Sequence, residues 1–163
     1  MASIPFLMIG GTVDAIVSYN ENAADIPNKV SSGELLSIEG GSHLGFVSIA
    51  EPMLRSMANP DSLGCQAILA AVEQGNEADA DFNPWLTLGT EEEGIAFDGP
   101  QPGLCTDYPL PAAIHAGRQH MITRLALLGF METYFGETPD RRRDAKMLVS
   151  KHLQNDFIEV TKH

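Results

Sequence analysis

Two short apolar runs, each ended by a pair of glycines and followed by a titratable side chain, constrain this chain more than any other feature. The first runs from Ile4 to Ile9, is interrupted by Pro5, stops at Gly10-Gly11 and leads to Asp14. The second, Glu34 to Ile38, stops at Gly40-Gly41 and leads to His43. Short apolar runs closed by glycine read as buried strands. Pro5 falls at the start of its run, where a missing N–H is tolerated. A polar stretch from Asn20 to Lys29 reads as helix, with Pro27 ending or kinking it, and Ser31-Ser32-Gly33 reads as a turn. A strand–helix–strand unit favours parallel pairing. Parallel strands would carry Asp14 and His43 to the carboxyl edge of one sheet, where open α/β sheets place their sites.

The segments GGTVDAIV and EGGSHLGF resemble the last two core strands of the α/β-hydrolases. They are most similar to the branch containing the dienelactone-hydrolase-like and platelet-activating-factor-acetylhydrolase-like esterases. The triad of that family follows the chain order serine, acid, histidine. The resemblance assigns the acid to Asp14 and the histidine to His43. It resumes at RQHMITRLALLGFMETYFG, which resembles the family's closing helix. The nucleophile elbow G-x-S-x-G has no counterpart here. Ser3 is the only serine before Asp14, and Gly40-Gly41-Ser42-His43-Leu44 has leucine in place of the second glycine. Ser42 also adjoins His43, and neighbouring side chains diverge. No stretch resembles the oxyanion-hole loop. The resemblance thus implies the C-terminal part of an α/β-hydrolase fold: the last two parallel strands plus helices, with a long irregular acidic loop.

The chain has 163 residues, enough for one domain, and its 44% apolar and 20% charged content is that of a globular protein. No apolar run approaches a membrane span, and Met1-Ala2-Ser3 leads straight into the first strand, so neither a membrane span nor a signal peptide is expected. The net charge is −12, and residues 56–117 contain acids but neither Lys nor Arg. Such a balance repels nucleic acid. A solvated acidic loop is the plain reading; a calcium site would need a ligand spacing that the segment lacks.

Residues 76–111 are rich in proline and glycine yet carry Phe82, Trp85, Phe97 and Tyr108. They are expected to form an excursion that packs on the domain, as a surface loop or a lid near His43. Cys65 and Cys105 flank it; they form a disulfide or remain a buried reduced pair. Asn59-Pro60-Asp61 starts a helix, with Asp61 or Ser62 as its cap and Gly75 as its end. Ala112 to Gly136 reads as the longest helix. Met121, Leu125 and Leu128 share one face at helical spacing, widened by Ile122, Ala126 and Phe130, while Arg118, Gln119, Thr123 and Arg124 form the solvated side. Thr138-Pro139 starts a basic helix, and Phe157–Val160 reads as a short tail strand or coil.

No cofactor and no metal is expected: His115 and His120 lack the i, i+4 spacing of paired ligands, and neither glycine pair matches a phosphate loop. The leading expectation is the acid-and-histidine portion of a carboxylic-ester hydrolase of the Ser-His-Asp type. Its nucleophile and oxyanion hole would come from elsewhere, and Thr12 or Ser42 would substitute only if unusually placed. An ester-type small molecule is then the substrate. An exposed sheet edge implies a homo-oligomer or an upstream partner chain. The alternatives are a non-catalytic fragment or binding module that self-associates, and a calcium-responsive interaction domain.

Overall fold

The computed structural model describes residues 4–78, Cys105 and residues 109–163. Phe6–Gly11 forms β1 and Gly33–Ile38 forms β2. They pair in parallel, from Phe6 opposite Gly33 to Gly11 opposite Ile38, so both runs end at the same edge. Val160–Lys162 forms β3, antiparallel to β2, with Ile38 opposite Val160. The order β1-β2-β3 makes a mixed sheet with β2 central. The tail strand thus starts at Val160, while the Phe157 N–H bonds back to the Leu153 carbonyl.

The central strand is buried on both faces, as its position requires. Leu36 and Ile38 pack with Ile122, Ala126, Leu153 and Val160 in the main core. On the other face Leu35 is buried, and Ser37 Oγ lies 2.5 Å from Tyr19 Oη and 2.9 Å from His163 Nε2, so its hydroxyl does not go unpaired. The segment between β1 and β2 is two short turns of helix, α1 (Tyr19–Asn22) and α2 (Ile26–Lys29). Pro27 sits in the first turn of α2, where its missing N–H costs nothing, and does not end a single helix.

Beyond the sheet come α3 (Glu51–Leu54), α4 (Asp61–Ala78), α5 (Ala116–Phe135), α6 (Pro139–Met147), a π-turn (Leu148–His152) and α7 (Leu153–Asp156). The α4 helix continues past Gly75. Thr138 caps α6, its side chain accepting from the Arg141 N–H at 3.3 Å. Cys65 and Cys105 are joined as a disulfide, with Cα atoms 5.5 Å apart. The acidic excursion between them, expected as a surface loop or a lid, lies mostly outside the described residues.

The face of α5 differs from the expected one. Ile122, Ala126 and Gly129 are buried, whereas Met121 and Leu128 are exposed, Leu128 by 65%. Apolar residues nearly encircle this helix, so periodicity alone admits several faces, and close approach decides among them. A Cβ on Gly129 would lie 2.7 Å from Val149 Cγ2, which only glycine accommodates without displacement. Gln119, expected on the solvated side, is fully buried.

The C-terminal segment is pinned to α5 by Arg118. Its Nε and Nη2 donate to Glu159 at 2.5 and 3.0 Å, and its guanidinium carbon lies 5.1 Å from the Phe157 ring centroid. The guanidinium holds the Glu159 carboxyl below its ordinary value. A depressed carboxyl stabilises the fold above its unfolded-state pKa, and that contribution is lost as pH falls through the folded-state value. The melting temperature should therefore fall more steeply from about pH 5 to pH 3 in the wild type than in Glu159→Gln. Parallel pH profiles would show that the pair contributes nothing.

Candidate functional site

The turn after β1 and the turn after β2 are stitched together by backbone. Thr12 N donates to Ile38 O and Val13 N to Gly41 O, both at 3.0 Å, and Gly40 N donates to Thr12 Oγ1 at 2.9 Å. Gly40 adopts φ +70°, the left-handed region where a side chain is strained. At the neighbouring crossing a Cβ on Gly11 would come within 2.5 Å of the Gly41 carbonyl carbon. The glycine pairs thus let the two strand ends nearly touch, and that proximity delivers Asp14 and His43 to each other.

His43 Nδ1 lies 3.0 Å from Asp14 Oδ2, although the residues are separated by 29 positions. Asp14 Oδ1 accepts from the N–H groups of Ile16 and Val17 at 2.9 and 2.6 Å. The carboxylate is thereby fixed in its own loop. In the neutral ring, donation from Nδ1 to the Asp14 carboxylate leaves the lone pair on Nε2. The Asp14 side chain is 9% exposed and the His43 ring 38%. An oriented imidazole with access to solvent is what a general base requires.

Two buried residues hold the histidine turn from behind. Gln119 grips both sides of Ser42: Ser42 N donates to Gln119 Oε1 at 3.1 Å, and Gln119 Nε2 donates to Ser42 O at 2.8 Å. Asp61, fully buried, accepts from Ala15 N, His43 N and Leu44 N. Asp61 reads from sequence only as a helix cap and Gln119 as a surface residue. The run Asn59-Pro60-Asp61 signals a helix start, but nothing in it tells that the carboxylate serves loops distant in the chain.

The hydroxyls of Ser42 and Thr12 are committed elsewhere. Ser42 Oγ is buried and accepts from Gly45 N at 3.2 Å, while Thr12 Oγ1 accepts from Gly40 N. His115 caps α5, its Nδ1 accepting from Gly117 N at 3.1 Å. Among the described residues no group of three or more His, Cys, Asp or Glu side chains could hold a metal ion, and no helix is long and apolar enough to cross a membrane. Comparison with protein-family models, with curated proteins and with solved structures gives no match.

Proposed function

We propose that the chain is the acid- and histidine-bearing portion of a carboxylic-ester hydrolase of Ser-His-Asp type, built as the C-terminal part of an α/β-hydrolase fold. The observation that carries this reading is the Asp14–His43 hydrogen bond at the carboxyl edge of two parallel strands. In the assembled enzyme, His43 Nε2 takes the proton from the nucleophilic serine and returns it to the departing alcohol. Asp14 holds the Nδ1–H tautomer and stabilises the imidazolium that forms. The serine and the oxyanion donors belong to residues outside this sequence. The sheet is compatible with that arrangement: β3 covers the outer edge of β2, and among the described residues no strand pairs with the outer edge of β1. Strands bearing the nucleophile would add there.

The test is hydrolysis of a short p-nitrophenyl ester. The chain alone should show no saturable turnover, and the chain joined to a segment carrying a G-x-S-x-G serine should show it. Saturable turnover by the chain alone that survives His43→Ala would refute this reading.

A second reading, a self-associating module without catalysis, is favoured by a different observation. Leu127, Leu128, Met131 and Phe135 are exposed on α5, and Ile4 and Phe6 at or beside β1. Light scattering on a sizing column tests this second reading: a defined dimer or larger oligomer is required by it, and a stable monomer removes it.

A further inference from the structure

We infer that Asp61 is a positioning residue for the Asp14–His43 couple: its buried carboxylate sets the distance between the turn that carries the acid and the turn that carries the histidine. The inference rests on the functional reading of that couple. Asp61 itself touches neither imidazole nor substrate.

The geometry is specific. Asp61 Oδ2 accepts from Ala15 N at 3.0 Å, immediately after Asp14, and from His43 N at 2.9 Å. Oδ1 accepts from Leu44 N at 2.7 Å. One carboxylate oxygen therefore bridges the two loops directly, and the other fixes the residue after the histidine. Three backbone N–H groups thus share one fully buried carboxyl group, and removing an acceptor there leaves donors unpaired. Asp61 is held in turn: its own N–H donates to Asn59 Oδ1 at 2.9 Å, and Asn59 Nδ2 donates to Pro111 O at 2.8 Å. Ala15 is gripped from its other side as well, since its carbonyl accepts from Cys105 N at 2.9 Å, and Cys105 is bonded to Cys65, one turn along α4 from Asp61. The start of α4 is thus a brace behind both loops.

Asparagine at this position cannot reproduce the brace. Its single oxygen can serve the Ala15 and His43 donors or the Leu44 donor, and its amide then faces an N–H with another N–H. The volume is unchanged, so the substitution alters the hydrogen-bond pattern without opening a cavity.

The readout is the tautomer of His43, obtained from the ring ¹⁵N shifts of the full chain at a pH where the ring is neutral. The wild type should show the Nδ1–H tautomer. Asp14→Asn should shift it toward Nε2–H. Asp61→Asn should do the same while the β1 and β2 amide signals persist, and adding Asp61→Asn to Asp14→Asn should change nothing further. Retention of the Nδ1–H tautomer in folded Asp61→Asn overturns the role of Asp61 and leaves the couple standing. An Nε2–H tautomer in the wild type overturns the couple itself, and this inference with it. Should Asp61→Asn not fold, amide exchange in the wild type decides. Slow exchange at Ala15, His43 and Leu44 together supports the brace, and exchange at open-loop rates at any of them overturns it.

Discussion

Replacing both Cys65 and Cys105 by serine is expected to destabilise the protein by about 4 kcal/mol. The disulfide spans a sequence separation of 40, and closing a loop of that length removes conformational entropy from the unfolded chain. For a domain of this size the loss corresponds to a fall in melting temperature of roughly 8–16 °C. Thermal melts of the wild type and the double variant, without reductant, measure it directly. A difference below about 1 kcal/mol would show that the unfolded chain is not constrained by the bond. The effect should reach the site as well. Cys105 donates to the carbonyl of Ala15, so its release frees one side of the loop that holds Asp14.

Gly11→Ala is expected to cost about 3 kcal/mol, with a fall of roughly 6–12 °C in melting temperature. The added methyl would fall on the Gly41 carbonyl, a backbone group that no rotamer change can move. Relief must come from parting the two strand ends, which carry Asp14 and His43. The variant should therefore lose the Nδ1–H tautomer of His43 along with stability. A fully stable Gly11→Ala protein would contradict the close approach of the two turns.

The part of this fold that is legible in the sequence is local. The apolar runs mark β1 and β2, and the segment between them leads to a parallel pair, but β1 continues through Gly10 and Gly11, which pair with Ser37 and Ile38, instead of stopping at them. The juxtaposition of Asp14 and His43 follows from that pairing, and the structure brings the two within hydrogen-bond distance. The illegible part depends on what packs against what. The exposed Met121 and Leu128 share a helix with the buried Ile122 and Ala126, and the face is selected by packing on Leu36, Ile38, Leu153 and Val160 and by the close seat of Gly129 on Val149. Gln119 and Asp61 look like ordinary polar residues because their partners, Ser42 and the Ala15, His43 and Leu44 amides, lie far away in the chain. Likewise β3 is only three residues long, and its pairing with β2 comes from the fold rather than from a strand pattern.

On the proposed reading, Asp14 and His43 are the acid and base of an ester hydrolase. The most direct test compares p-nitrophenyl ester hydrolysis by the wild type and by His43→Ala, each joined to a segment bearing the G-x-S-x-G serine. Turnover is expected in the first and a loss of at least about 10³-fold in kcat in the second, with KM little changed. Equal turnover in both, or turnover in neither when the assembled protein is folded, would contradict it.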